Sequence, residues 1–226
     1  MIDIVLISSW RRADYLTKCF DALLNAQGIK EKQVWVFQNR REDAGIDLNP
    51  VLDCITRYAN EFENFRVMSH KSDSWMASHK YAWERVYAAK PRYAYFFSDD
   101  VICTPDFFAW HEAVQSTGDW FGSSAWRHPQ GNTKPYDLAA FYQVSYPTEI
   151  SMGLCVKYKS IPKLLAAAPD WSKVEENIVM PYVQRCYHIG GFSSHLESVG
   201  ENTGPAVDVL PNPIPDYGRQ NVVLKS

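Results

Sequence analysis

The sequence predicts an α/β fold of the Rossmann-like kind, a mostly parallel sheet with helices on both faces. Three observations carry that expectation. Short apolar runs alternate with amphipathic helical segments, an alternation that implies right-handed crossovers between parallel strands. The run Tyr93-Ala94-Tyr95-Phe96-Phe97 stops abruptly on Ser98-Asp99-Asp100-Val101, as a buried strand does when it delivers acids to its C-terminal end. The chain has 226 residues, 46% of them hydrophobic, which suffices to bury one full core, so 1–226 reads as a single domain.

The elements follow in order. Ile2-Asp3-Ile4-Val5-Leu6-Ile7 is the first strand. From Asp14 to Ala26 apolar residues fall at Tyr15, Leu16, Cys19, Phe20, Leu23 and Leu24, a helical spacing that buries one face, and Gln27-Gly28 ends the helix. Gln33 to Gln38 is the second strand, and Asn49-Pro50 opens a helix through Tyr58 and Ala59. Phe65 to Met68 is the third strand, Met76 to Ala89 a helix, and Tyr93 to Phe97 the fourth strand. Beyond about Gly118 the pattern loosens. The stretch from Trp126 to Pro135 is a polar, turn-rich insert, either a lid or acceptor-binding segment or a solvated connection. Ile150 to Tyr158 reads as a strand, and Ile161 to Ala168 and Val174 to Tyr187 read as helices. The tail from 205 to 226, with Pro205, Pro211, Pro213 and Pro215, is expected to run extended over the surface.

Composition narrows the function classes. A net charge of -3 argues against a broad electrostatic grip on nucleic acid. Cys19, Cys54, Cys103, Cys155 and Cys186 are odd in number and scattered, which points to reduced thiols rather than a disulfide framework or a zinc site. No run reaches the roughly 18 apolar residues of a membrane span, and no leader pattern is present, so a soluble, cytoplasmic protein is expected.

Taken alone, Asp99-Asp100 has two readings. Adjacent carboxylates at a strand end are hard oxygen ligands for Mg2+ or Mn2+ carrying a phosphorylated substrate. The same residues also suit a turn that caps the helix introduced by Pro105 and Asp106.

The first strand runs into Ser8-Ser9-Trp10-Arg11-Arg12-Ala13-Asp14-Tyr15-Leu16. Together with the acids after the fourth strand, this segment resembles the GT-A glycosyltransferases, and within them the large inverting, family 2-like nucleotide-sugar transferases. That family opens with a strand and a Thr-Tyr-Asn-Arg-Pro-Asp-Tyr-Leu-like turn. Ser9, Trp10, Arg12, Asp14, Tyr15 and Leu16 fall on the pattern, while Arg11 and Ala13 depart from it. The acids correspond to the so-called DXD motif, with Val101, Pro105, Phe107 and Phe108 following in the expected order and Ser98 in place of the commonest first acid.

The resemblance implies a fold, a reaction and a set of roles. About 1–117 would be the nucleotide-binding half and about 118–204 the acceptor half. A divalent cation, Mn2+ or Mg2+, would neutralise charge developing on the departing nucleoside diphosphate. Asp100 occupies the metal-contacting position of the motif, and Asp99 would orient ribose or sugar hydroxyls. Ser9, Trp10 and Arg12 line the nucleotide, with Trp10 offering a ring for the base. Gln38 replaces the aspartate that reads the base edge, an amide that donates and accepts where a carboxylate only accepts. In Ala77-Ser78-His79-Lys80, His79 or Lys80 would approach the diphosphate or sugar, or the two would be a surface pair. Glu176, with Glu175 beside it, falls where the family keeps its general base, although Ser172 and Glu175 also make a capping box. His195 is the candidate for an added metal ligand from a late turn. The acceptor class implied is a glycan or lipid-linked sugar rather than nucleic acid. Two other readings stay open: a nucleotidyltransferase, which the absence of glycine in Ser8 to Arg12 disfavours, and a non-catalytic nucleotide- or glycan-binding protein.

Overall fold

The computed structural model describes residues 2–41, 46–126, 141–144, 152–168, 178–181 and 184–189. Its elements are β1 (Ile4–Ser9), α1 (Ala13–Asn25), β2 (Gln33–Asn39), α2 (Asn49–Tyr58), β3 (Phe65–His70), α3 (Trp75–Ala88) and β4 (Tyr93–Ser98). These are followed by β5 (Val101–Cys103), α4 (Phe107–Ser116), β6 (Gly122–Ser124), β7 (Phe141–Val144), β8 (Met152–Lys157), α5 (Ile161–Ala167), β9 (Ile178–Pro181) and β10 (Cys186–His188).

Among the described residues the main sheet has eight strands in the order β3-β2-β1-β4-β8-β6-β9-β7. The half from β3 to β4 is parallel throughout. β8 enters antiparallel between β4 and β6, and β7 is antiparallel to β9. β1 is central because both of its faces are apolar. Val5 and Ile7 pack into a core shared with α1, α2 and α4, and Ile4 and Leu6 into a second core shared with α3 and α5. All four side chains are fully buried, each worth about 1.5–3 kcal/mol of transfer free energy. The mostly parallel sheet with helices on both faces is as the sequence predicts.

Local chemistry sets the helix starts. Ser74 caps α3, its hydroxyl accepting from the Ala77 amide at 3.1 Å. Pro50 stands in the first turn of α2, where no intrahelical donor is lost. Asp106, and neither Asp99 nor Asp100, occupies the N-cap position of α4. The turn-and-cap reading of Asp99-Asp100 is therefore half right: the pair lies in a turn, but it caps no helix.

One element differs from expectation. A helix over Val174 to Tyr187 is not what forms, because Ile178–Pro181 is strand β9 and Cys186–His188 is strand β10. Pro181 sits in the middle of that stretch, where a helix would lose a hydrogen bond and meet a ring clash. Ile178, Val179 and Met180 are wholly buried, as a strand covered on both faces requires. β10 leaves the main sheet and pairs antiparallel with β5, setting His188 opposite Val101 and Cys186 opposite Cys103. All five cysteines are buried, and none of them forms a disulfide.

Candidate active site at the β1/β4 crevice

The chain leaves β1 for β2 and β3 on one side and returns to β4 on the other. Strand order therefore reverses between β1 and β4, and in open α/β sheets the crevice outside such carboxyl ends is where ligands bind. The register pairs Ser8 with Ser98, so the turns beyond the two strands start side by side. One turn carries Ser9, Trp10 and Arg12 and the other Asp99 and Asp100.

Arg12 joins them. Its Nη1 donates to Asp100 Oδ2 at 2.6 Å, and its Nη2 donates to Asp99 Oδ1. The Asp99 amide donates to the Ser8 carbonyl at 3.0 Å, which fixes the β4 turn against the end of β1. His188, from β10, reaches the same Asp100 Oδ2 through Nε2 at 3.0 Å. The Ile189 amide donates to the Asp100 carbonyl at 2.9 Å, so β10 holds this residue by backbone and side chain together.

The electrostatics follow from burial and pairing. Burial drives the Asp99 carboxyl up, and with Asp100 adding repulsion it reaches about 6 even against the opposing pull of Arg12. Burial also works against the Asp100 carboxylate, but the hydrogen bond from His188 and the charge of Arg12 outweigh it and hold the group below its ordinary value. Burial alone would lower the Arg12 pKa, and the two carboxylates reverse that and raise it.

Gln38, next to last in β2, lies beside Ser9, its register partner. Both of its amide hydrogens are committed, to the Trp10 carbonyl and the Asn39 carbonyl, each at 2.8 Å. Its Oε1 and the Ser9 hydroxyl are buried without a hydrogen-bond partner in the structure. Gln38 thus has only its acceptor oxygen left to offer. Trp10 lies outside both cores. Its indole donates to the Arg41 carbonyl at 3.4 Å, and the Arg11 and Arg41 guanidinium carbons stand 4.8 and 5.7 Å from the ring centre.

Of the His79-Lys80 pair, His79 is packed inside, edge-on to Trp75 and Phe96, and Lys80 is exposed on α3. Trp126, at the start of the expected lid, is buried in the larger core. Glu175, Glu176 and His195 lie outside the described residues. His188 was not anticipated, since the helix expected over 174–187 gave no reason to bring that position to the acids. Pro181, followed by the run Cys186-Tyr187-His188-Ile189, was the signal for a strand there.

No group of three or more acidic, histidine or cysteine side chains forms a metal cage among the described residues. Asp100 Oδ2 and His188 Nε2 instead stand 3.0 Å apart and hydrogen-bonded to each other, a carboxylate oxygen beside an imidazole nitrogen. That donor pair fits Mn2+ or a similar ion whose other positions are filled by substrate phosphates and water.

Fold and crevice together define the class: the chain has the GT-A glycosyltransferase fold. Residues 1–349 of TarS from S. aureus, in complex with UDP-GlcNAc, superpose with a TM-score of 0.62 at 14% identity, over 88% of this chain and 61% of that one. The mannosyltransferase PcManGT from Pyrobaculum calidifontis, in complex with GDP-Man and Mn2+, gives 0.60 at 14% identity, over 87% of this chain and 59% of its own. The chain therefore spans about three fifths of the length of either neighbour. No protein-family profile matches the sequence, and no curated protein matches it.

Proposed function

We propose that the chain is a metal-dependent glycosyltransferase that moves a sugar from a nucleotide-sugar donor to an acceptor with inversion. The observation that carries this reading is the meeting of Arg12, Asp99, Asp100 and His188 at the strand-order reversal of a GT-A sheet. The neighbours support it, one holding UDP-GlcNAc and the other GDP-Man with Mn2+.

Asp100 and His188 hold the divalent cation, Mn2+ or Mg2+, which when bound supplies Lewis-acid stabilisation to the leaving diphosphate. Asp99 orients the ribose or sugar hydroxyls. Ser9, Trp10 and Gln38 hold the base, with Gln38 Oε1 accepting from a base N–H. Lys80 meets the diphosphate. Glu176, or Glu175 beside it, takes the acceptor proton. The acceptor is a glycan or lipid-linked sugar, and the reaction is cytoplasmic.

The test is a calorimetric panel of UDP, GDP, CDP, ADP and their sugar conjugates, with and without Mn2+, on the native chain and on Asp100→Asn. Metal-dependent binding of one diphosphate is expected. Asp100→Asn should keep residual nucleotide binding and lose turnover. Absence of binding across the panel, or an Asp100→Asn chain that behaves as the native one, would sink the reading.

A further inference from the structure

The two carboxylates of this crevice are already neutralised by the protein itself. The Asp99 and Asp100 side chains are only 4% and 6% exposed, whereas Arg12 is 23% exposed. Two adjacent buried carboxylates without a counter-charge would carry a large cost in desolvation and mutual repulsion. The Arg12 fork offsets it by spanning both groups at once, a geometry a guanidinium provides and an ammonium does not.

That arrangement conflicts with a metal on the same oxygen. Asp100 Oδ2 accepts from Arg12 Nη1 at 2.6 Å and from His188 Nε2 at 3.0 Å. A carboxylate oxygen has two lone pairs, and both are in use. A divalent cation at Asp100 and His188 would also face the guanidinium as a like charge at close range. Asp99, Asp100 and His188 are fixed by β4, β5 and β10 and are buried. Arg12 is the most exposed member, at the entrance to α1 where its side chain caps nothing. Of the four it is the side chain nearest solvent, and the one an incoming ion meets first.

We propose that Arg12 is a resident counter-cation which the divalent ion displaces, so that metal loading and release of the guanidinium from Asp99 and Asp100 are a single exchange. This rests on the metal-dependent reading above. The exchange lets the chain keep two buried acids paired before the ion arrives. It also frees a guanidinium at the mouth of the crevice, where an anionic ligand group can take it up. The cost is weak metal affinity in the ligand-free chain, because each ion bound must break the Arg12 pairs and the His188–Asp100 hydrogen bond.

Mn2+ binding to the whole chain, read from the free-ion electron paramagnetic resonance signal, tests the exchange without recourse to activity. Arg12→Gln should bind Mn2+ about tenfold or more tightly than the native chain, because the competing charge is gone. Arg12→Lys, which keeps the charge but not the fork, should fall between them. Arg12→Gln should also melt lower than native without metal and recover with Mn2+, by a larger shift than the native chain shows. Asp100→Asn should not bind. If the native chain binds Mn2+ through Asp100 but Arg12→Gln and Arg12→Lys bind equally or more weakly, Arg12 supports the metal site and the exchange is wrong while the metal reading stands. If no form binds Mn2+, the metal reading and the exchange fall together.

Discussion

Asp100 gathers its partners from opposite ends of the chain. Arg12 and His188 each lie 88 positions away from it, one before and one after. The acids were legible in the sequence because a strong apolar run stops on them, which marks a strand end, whereas the arginine stood out only through the resemblance of the turn after the first strand. His188 was not legible as a partner of the acids, because Pro181 and the apolar run around it signal a strand but not which strand it pairs with. The assignment of a metal-side histidine is therefore best settled by substitution. His188→Ala should weaken Mn2+ binding about tenfold or more, as loss of one ligand commonly does. His195→Ala, tested in parallel, should do the same only if that residue also reaches the ion. An unchanged Mn2+ affinity in His188→Ala would remove His188 from the site. Gln38 shows a different limit: its residue type left both donor and acceptor roles open, and only the placement of the Trp10 and Asn39 carbonyls spends its donors.

Strand β10 depends on an ion pair that the sequence does not announce. Arg185 is 1% exposed and donates from Nε to Asp106 Oδ2 at 3.0 Å, while the Thr104 hydroxyl donates to Asp106 Oδ1 at 2.6 Å. The Thr104 amide donates to the Arg185 carbonyl, and the Arg185 amide to the Ala125 carbonyl, each at 2.9 Å. The start of β10 is thereby tied to the β5–α4 turn and to the end of β6, three residues before His188. Gly153 has φ +59, and a Cβ there would stand 2.8 Å from Cys186 Sγ, so β8 also leaves room for β10 only at a glycine. Asp106→Asn should cost about 3–5 kcal/mol in urea unfolding, because it takes a carboxylate away from a buried guanidinium. The paired replacement Asp106→Leu with Arg185→Met should recover much of that loss. A cost below about 1 kcal/mol for Asp106→Asn would mean the pair is not the tie it resembles. The elements before β5 followed from periodicity and punctuation alone, to within a few residues at their ends. After it, β8 and α5 also match the strand expected over Ile150 to Tyr158 and the helix expected over Ile161 to Ala168, whereas β9 and β10 do not, because they are short and take their conformation from the strands beside them.

Among the described residues, His79 and His111 are buried in their neutral form, and at the scale of the molecule this shapes its response to acid. Burial, with His70 nearby, lowers His79 to about 3, and burial likewise takes His111 well below 6.5. On unfolding each recovers an ordinary value and binds a proton, so below about 6.5 the unfolded chain holds more protons and stability rises with pH, by about 1.4 kcal/mol per unit for each histidine. Asp99 acts in the opposite sense: raised to about 6, it favours the folded state at low pH, and this contribution is lost as pH rises from about 4 to 6. Stability should therefore fall between pH 6.5 and 5, and His79→Phe should flatten the slope by about one proton. An unchanged slope would show that His79 is protonated in the folded chain.

Charge also brackets the central strand. At the start of β1, Asp3 accepts from Lys32 Nζ at 3.2 Å and from Arg92 at 2.6 and 2.9 Å, and just beyond its end Arg12 grips Asp99 and Asp100. Between these clamps lie four wholly buried residues, hydrogen-bonded to strands on either side. Such a segment cannot fray from either end, so its amide protons should exchange with deuterium only when the entire chain opens. The crevice is therefore built on the last part of the molecule to come apart, and any ligand seated there should slow exchange at Val5, Leu6 and Ile7 as much as in the turns it touches.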